Sequence, residues 1–168
     1  MLYLANMDTE LGRIVLASED DALCGLWFAG AKYFGSTLRK DAQFDPEAPA
    51  LRRTNEWLCR YFAGERPSPD ALKFRLTGSE FRIAVLRELL KIPYGQTTTY
   101  GTIADTLSQH SGKRVSAQAV GGAVGHNPIS IIIPCHRVIG ANGSLTGYAG
   151  GIEKKRRLLR FEATGSIT

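Results

Sequence analysis

Three short apolar stretches, separated by polar turns, open the chain. Residues 2–7, 13–17 and 22–28 are each rich in large apolar side chains and are bounded by turn residues, which is typical of short strands. Gly12 lies where a tight turn needs a permissive backbone, and an acidic turn at 19–21 precedes the third stretch. Because connections this short join antiparallel neighbours, the pattern predicts an antiparallel meander of three strands.

A helical pattern follows at residues 51–62. Its aromatic and apolar side chains recur at helical spacing, at Trp57, Leu58, Tyr61 and Phe62. Residues 63–67 contain a glycine and a proline, which predict the end of the helix. We expect this helix to cover one face of the sheet. Cys24 and Cys59 fall within these apolar patterns and are predicted to pack as small apolar side chains.

A change of domain is predicted next, because residues 68–78 open with Ser-Pro and close with Thr-Gly. We predict an N-terminal α/β structural domain at 1–72, a linker at 73–78 and a second domain at 79–168. The charge divides at the same place. Residues 1–72 hold 8 Lys and Arg against 11 Asp and Glu, whereas residues 73–168 hold 13 against 5. The basic character of the chain therefore belongs to the second domain.

Three helical patterns lie in this second domain, each preceded by a residue that can cap a helix. The candidate caps are Ser79, Thr99 and Ser116. The first helix is predicted to end at Pro-Tyr-Gly, residues 93–95, and the third to cover 117–124. Since the second and third helices are joined by a short polar loop, we predict a mainly helical domain that contains a helix-turn-helix.

The third of these helices is unusually bare. Its adjacent glycines, Gly121 and Gly122, should each destabilise a helix by about 1 kcal/mol relative to alanine. Small residues let a backbone approach another surface closely, and Lys113 and Arg114 precede the helix, so one interpretation is docking on DNA. The other interpretation is that the two glycines pack against a neighbouring helix.

A thiol and an imidazole follow an apolar run near residue 135. Three isoleucines at 131–133 predict a buried strand that Pro134 ends, so Cys135 should be carried toward a surface or cleft. His136 can accept a proton and Arg137 can add positive potential, which favours a reactive thiolate. The alternative is that Cys135 is a small buried apolar residue, as free cysteines often are.

Length and composition narrow the class of protein. The 168 residues, 43% of them hydrophobic, suffice for one ordinary domain or two small ones. No stretch is long and apolar enough to span a membrane and the start lacks a secretory signal, so we expect a soluble, cytoplasmic protein. The three cysteines and three histidines show no disulfide framework and no ligand spacing for a metal. A net charge of +5 is compatible with nucleic acid, an anionic membrane surface or simply a basic enzyme.

Three motifs in the second half resemble those of the O6-alkylguanine-DNA alkyltransferases. They are Asn-Pro-Ile-Ser-Ile-Ile-Ile-Pro-Cys-His-Arg-Val-Ile-Gly at 127–140, Gly-Tyr-Ala-Gly-Gly at 147–151 and Leu-Leu-Arg-Phe-Glu at 158–162. The Pro-Cys-His-Arg-Val core is highly specific to that family, and the likeness covers about 79–162. The resemblance implies an α+β fold, with a ribonuclease-H-like antiparallel sheet and covering helix in the first domain and a helix-turn-helix in the second.

The resemblance also implies an activity. It implies repair of O6-alkylguanine in double-stranded DNA by irreversible alkyl transfer to the protein's own thiol after base flipping, once per chain. It leaves open whether O4-alkylthymine is also accepted. Such a protein would work as a monomer, without a metal, an organic cofactor or a membrane. Two rival functions are a sensor that binds alkylated bases without chemistry and a cysteine hydrolase.

Five residues take chemical roles by this resemblance. Cys135 is the alkyl acceptor, His136 takes its proton through a water, and Glu162 holds the imidazole. Tyr100 corresponds to the tyrosine that supplies a proton as the guanine leaves. Asn127 corresponds to the asparagine that braces the turn after the recognition helix, although an Asn-Pro pair is also ordinary turn chemistry.

Further residues correspond to the family's alkyl pocket and DNA surface. The pocket residues are Val138, Tyr148 and Ala149. The DNA-binding residues are Lys113, Arg114, Ser116, Ala117, Gln118, Gly121 and Gly122. Two positions depart from the family pattern. Gln118 stands where the family places an arginine that fills the gap left by the flipped base, and Ala149 stands where some members have a serine.

Overall fold

The computed structural model describes residues 1–36 and 38–167, and the chain divides into two compact units. The first unit is Met1–Thr77 together with Pro128–Ser130, and the second is Gly78–Asn127 together with Ile131–Thr168. A search of the described residues finds no helix with the length and apolar character needed to cross a membrane.

The first unit is built on a four-stranded sheet. Its strands are β1 (Leu2–Thr9), β2 (Gly12–Glu19), β3 (Ala22–Phe28) and β4 (Gln43–Phe44), in the order β3-β2-β1-β4. The first three strands form the predicted antiparallel meander. The short strand β4 was not predicted, and it pairs with β1 in parallel, which makes the sheet mixed.

The open edge of β3 pairs with two segments that are distant in sequence. Leu23 exchanges backbone hydrogen bonds of 2.8 Å with residues 73 and 75, which lie in the region expected to be a linker. Leu26 donates to the carbonyl of Pro128 at 2.8 Å and accepts from the backbone N–H of Ser130 at 3.0 Å. Both segments therefore belong to the first unit, since they complete the hydrogen bonding of its edge strand.

Helix α1 (Pro49–Phe62) packs on the sheet, as predicted. Its buried side includes Leu51, Trp57, Leu58 and Tyr61. Cys24 is buried, as predicted, but the prediction for Cys59 is wrong because its side chain is exposed. Cys59 directly follows Leu58, so it lies about 100° around the helix from the buried row.

The second unit is mainly helical. Its helices are α2 (Glu80–Leu89), α3 (Tyr100–Ser111), α4 (Ala117–Gly125) and α5 (Ile152–Thr164). Ser79, Thr99 and Ser116 each accept a backbone N–H from the first turn of α2, α3 and α4, which confirms the three predicted caps. Gly112 caps the C-terminal end of α3, and its φ of 69° lies in the left-handed region that glycine adopts readily. Helices α3 and α4 form the predicted helix-turn-helix pair.

The buried strand predicted at 131–133 does not form. These isoleucines are buried but lie in a turn, and Ile131 has a φ of 67°, a left-handed conformation that is rare for a β-branched residue. A single turn of 3-10 helix, Cys135–Arg137, comes next, and only then β6 (Val138–Ile139), which pairs in parallel with β5 (Thr98–Thr99). A run of apolar residues can be buried in a turn as well as in a strand, so its pattern alone could not separate the two.

Candidate active site

The thiol of Cys135 lies at the start of the 3-10 turn and is buried, with 5% of the residue exposed. Cys135 was expected to be carried toward a surface or cleft, and its burial excludes an exposed surface position. Burial raises the pKa of the Cys135 thiol, although a hydrogen bond from Asn127 and the charge of Lys155 act in the opposite direction. Because burial outweighs both, the resting sulfur holds its proton and requires a base before it can attack.

His136 is fully buried and is held at one ring nitrogen. Its Nε2 lies 2.6 Å from Oε2 of Glu162, which is ionised, so Nε2 carries the proton and donates it to the carboxylate. Within residues 1–36 and 38–167, Nδ1 of His136 has no hydrogen-bond partner. Burial lowers the pKa of His136, and the charges of Arg137 and Lys155 act in the same direction. The ring is therefore a neutral base whose Nδ1 lone pair is available.

Glu162 lies on α5, and its carboxylate accepts hydrogen bonds from several donors. Besides His136, its carboxylate accepts hydrogen bonds from Arg137 Nε at 2.7 Å, from Arg137 Nη2 at 3.1 Å and from the backbone N–H of Gly95 at 3.2 Å. Burial opposes ionisation, but the hydrogen bonds from His136 and Arg137, together with the charge of Arg137, outweigh it and hold the pKa of Glu162 far below its usual range. The carboxylate of Glu162 is thus ionised and held in place next to the imidazole of His136.

Arg137 forms its ion pair with the carboxylate of Glu162 and not with the thiol of Cys135. Its Nη1 donates to the carbonyl of Ile92 at 2.7 Å, and its guanidinium lies 5.6 Å from the ring centre of Tyr94. The residue is buried, with 7% exposed. Sequence reasoning assigned Arg137 to the thiol because the two residues are close in the chain, and nothing in the sequence pairs it with Glu162.

Lys155 was missed by sequence reasoning altogether. It sits on α5 with 0% of its surface exposed, and its Nζ has no hydrogen-bond partner among the described residues. Burial lowers the pKa of Lys155, while the nearby sulfur of Cys135 raises it. Since residues 154–157 are all basic, the pattern is that of a solvated helix face, and only the fold reveals a buried cation close to the thiol.

Asn127 follows α4 and reaches across the turn to the thiol. Its Nδ2 donates to the carbonyl of Ile133 at 2.8 Å, and its side chain also hydrogen-bonds the sulfur of Cys135. Asn127 is buried, so the bond to Ile133 stabilises the left-handed turn at Ile131 from inside the unit. Its position thus links the end of α4 to the backbone that presents the sulfur.

Tyr100 begins α3 and lies between the thiol region and the 146–147 loop. Its hydroxyl donates to the carbonyl of Thr146 at 3.3 Å, and a Cβ at Gly147 would approach that hydroxyl to 3.2 Å. Burial raises the pKa of Tyr100, with a smaller contribution from the charge of Cys135. The phenol therefore keeps its proton at neutral pH and can act as a hydrogen-bond donor.

The three expected pocket residues differ in how far they are buried. Val138 has 0% and Tyr148 has 8% of its surface exposed, whereas Ala149 is half-buried. Val138 belongs to β6, next to the 3-10 turn that carries the thiol. Tyr148 closes a turn, because its carbonyl accepts the N–H of Gly151 at 3.0 Å.

The expected DNA-binding residues form an exposed surface at the start of α4. Exposed members are Lys113, Arg114, Ser116, Ala117, Gln118 and Gly122. The two glycines differ. A Cβ at Gly121 would lie 3.8 Å from the ring of Tyr100, whereas a Cβ at Gly122 would meet nothing within 4 Å. Gly121 thus packs beside another helix, and Gly122 leaves the outer face of α4 bare.

Comparison with known proteins identifies the family. The profile "6-O-methylguanine DNA methyltransferase, ribonuclease-like domain" matches residues 2–76, and "6-O-methylguanine DNA methyltransferase, DNA binding domain" matches residues 80–164. A methylated-DNA–protein-cysteine methyltransferase of Mycobacterium tuberculosis is 42% identical over 162 residues, covering 96% of this chain and 93% of that protein. One of Methanosarcina acetivorans is 39% identical over 163 residues, covering 97% and 99%.

Solved structures agree with these matches. The crystal structure of M. tuberculosis OGT in complex with DNA has a TM-score of 0.84 and 41% identity, covering 96% of this chain and 93% of that chain. An O6-methylguanine DNA methyltransferase of Methanococcus jannaschii has a TM-score of 0.67 and 27% identity, covering 98% and 96%. The α+β fold class and the resemblance drawn from residues 127–162 are confirmed. This chain belongs to the 6-O-methylguanine DNA methyltransferase family.

Proposed function

We propose that this chain repairs O6-alkylguanine in DNA by moving the alkyl group to its own Cys135. The observation that carries the proposal is the buried thiol next to His136, whose Nε2 is fixed by Glu162 at 2.6 Å while Nδ1 has no partner in the described chain. A neutral imidazole held in this way can take the proton of a neighbouring thiol. The relatives' names give the same activity, since they are methylated-DNA–protein-cysteine methyltransferases.

The first step is ionisation of the thiol. His136 Nδ1 accepts the proton of Cys135 through one bridging water, because neighbouring side chains on a 3-10 turn do not face each other. The imidazolium that forms is stabilised by the ionised Glu162. Lys155 offers positive charge to the thiolate from inside the same unit, and Asn127 offers a hydrogen bond.

The second step is the transfer itself. The sulfur attacks the alkyl carbon, the S–C bond forms, and the C–O6 bond breaks with its electron pair passing to the guanine. The departing base then needs a proton. Tyr100, whose pKa is raised by burial, supplies it, and the proton held on His136 restores the phenol. In total the thiol proton ends on guanine, so no oxidant, reductant or cofactor is required.

Burial of the thiol requires the base to leave the duplex. Cys135 is only 5% exposed, so O6 of a stacked guanine cannot reach it and the nucleotide must rotate into the protein, which costs a few kcal/mol. The bare face of α4 allows close approach to DNA, and Lys113 and Arg114 are exposed beside it for phosphate contacts. Gln118 can hydrogen-bond the orphaned base, without the charge of the family's arginine.

The transfer occurs once per chain. A thioether is stable, and neither of the other two cysteines is close to Cys135 in sequence. Cys24 and Cys59 belong to the first unit, whereas Cys135 belongs to the second. We also propose that the chain acts as a monomer, on DNA in the cytoplasm. O4-alkylthymine is a second substrate to be measured beside O6-methylguanine.

Replacing the thiol tests the proposal. Cys135→Ser should abolish methyl transfer from O6-methylguanine in duplex DNA while changing the affinity for that DNA less than about threefold, since binding rests on α4. Cys59→Ser is the matched control, because it removes an exposed thiol and should transfer at the wild-type rate. Transfer by Cys135→Ser, or loss of transfer in Cys59→Ser, would contradict the proposal.

A further inference from the structure

We propose that Arg137 is a positioning residue that keeps His136 uncharged in the resting protein, so that Nδ1 can accept the thiol proton. The inference rests on the proposed function, in which His136 is the base. Arg137 does not itself take the thiol proton, and the inference follows from how Arg137 binds Glu162.

Arg137 covers both oxygens of the carboxylate. Its Nε donates to Oε1 of Glu162 at 2.7 Å, and its Nη2 donates to Oε2 at 3.1 Å. Oε2 is the same oxygen that accepts from Nε2 of His136 at 2.6 Å. The arginine and the imidazole therefore share one carboxylate oxygen, and the charge of that oxygen is divided between them.

The guanidinium is itself fixed in place. Its third nitrogen, Nη1, donates to the carbonyl of Ile92 at 2.7 Å, and its plane lies near the ring of Tyr94. With Gly95 N–H also on Oε1 of Glu162, the segment 92–95 is tied to the same ion pair. A planar fork with three directed N–H groups suits this arrangement, which a lysine could supply only in part.

The charges around His136 determine its proton affinity. Burial makes the largest contribution and disfavours the imidazolium. Glu162 favours the imidazolium, and the charges of Arg137 and Lys155 disfavour it. An unpaired buried carboxylate beside a histidine would hold a proton on the ring. Because Arg137 neutralises Glu162, the carboxylate can orient the ring through Nε2–H without converting it to an imidazolium. Glu162 thus orients the ring, and Arg137 acts together with burial to keep the ring uncharged.

The test is a titration of the His136 ring by NMR in the full chain. In Arg137→Gln, which keeps a donor but no charge, the pKa of His136 should rise by about one unit or more. In Arg137→Lys, which keeps the charge, it should stay within about half a unit of wild type. His110 and His126 serve as internal references in every spectrum. An unchanged His136 in folded Arg137→Gln would overturn the inference.

Transfer kinetics supply a readout that a merely structural role would not move. The acid limb of the pH profile for methyl transfer should shift upward in Arg137→Gln by the same amount as the ring titration and stay near wild type in Arg137→Lys. A uniform loss of rate with no shift would contradict the inference. If Arg137→Gln does not fold, the wild-type ring decides, since an imidazolium at neutral pH overturns the inference and a neutral ring protonated at Nε2 supports it.

The two claims fail separately. Wild-type protein that leaves O6-methylguanine DNA unrepaired would overturn the proposed function, whatever the state of the ring. A wild-type protein that transfers methyl groups but shows no shift of His136 in Arg137→Gln would overturn only the role of Arg137.

Discussion

Nε2 of His136 lies 2.6 Å from Oε2 of Glu162, and both side chains are buried although they are 26 residues apart in the chain. His136 belongs to the 3-10 turn that also contains Cys135, and Glu162 belongs to α5. The contact fixes which ring nitrogen carries the proton, and therefore which one can act as a base.

Glu162→Gln should slow transfer strongly. The amide keeps the shape of the side chain but can turn its NH2 toward His136, which changes the tautomer and removes the anion that stabilises the imidazolium. We expect the single-turnover rate of methyl transfer to fall by about 100-fold or more. Glu153→Gln makes the same chemical change on the exposed side of α5 and should leave the rate unchanged. Equal rates in wild type and Glu162→Gln would contradict the role of the pair.

Acid should destabilise the protein through the same carboxylate. Burial opposes the ionisation of Glu162, but His136 and Arg137 hold its pKa below the ordinary 4.5, so the unfolded chain takes up the proton first. Its contribution to stability is therefore complete above pH 4.5 and is lost as the pH falls below that value. Urea unfolding of wild type should show a steeper loss between about pH 5 and pH 3 than Glu162→Gln. Parallel curves would count against the ion pair.

Lys155→Met should separate reactivity from stability. Without the ammonium the pKa of Cys135 rises further, and a rise of one unit reduces the thiolate fraction about tenfold. We expect alkylation of Cys135 by iodoacetamide to slow by about that factor near neutral pH. The free energy of unfolding should not fall, because methionine fills a similar space without a buried charge. The neighbouring Lys154→Met is the control, and a thiol as reactive in Lys155→Met as in that control would refute the prediction.

The bare face of α4 gives opposite predictions for stability and for DNA binding. A Cβ at Gly122 meets nothing within 4 Å, so Gly122→Ala should stabilise the second unit by about 1 kcal/mol in thermal or urea unfolding. Gly122→Gln should likewise be stable but should bind duplex DNA more weakly, because its side chain projects from the face that approaches the DNA. Wild-type DNA affinity in Gly122→Gln would show that this face does not contact DNA.

Local signals predicted much of the fold. Ser79, Thr99 and Ser116 cap their helices because a hydroxyl before an apolar helical pattern acts within one turn. The meander was equally predictable from apolar stretches and short turns. The pairing of residues 73–75 and 128–130 with β3 was not, since it depends on segments brought together only by the fold.

The site was harder to predict than the elements around it. The motifs located Cys135, His136 and Glu162, but they did not reveal that the thiol is buried, that residues 131–133 form a turn, or that Arg137 serves Glu162. Lys155 carried no signal, because a lysine among basic residues looks the same whether it is solvated or buried. Such features depend on burial and on pairs distant in sequence, which local patterns do not encode.

The most direct test of alkyl transfer is the mass of the intact chain after incubation with excess duplex DNA that carries a single O6-methylguanine. Every chain should gain the mass of one methyl group and no more, and peptide mapping should place it on Cys135. The account would be contradicted by DNA repaired while the protein stays unmodified, by a second methyl group, or by an adduct on Cys24 or Cys59.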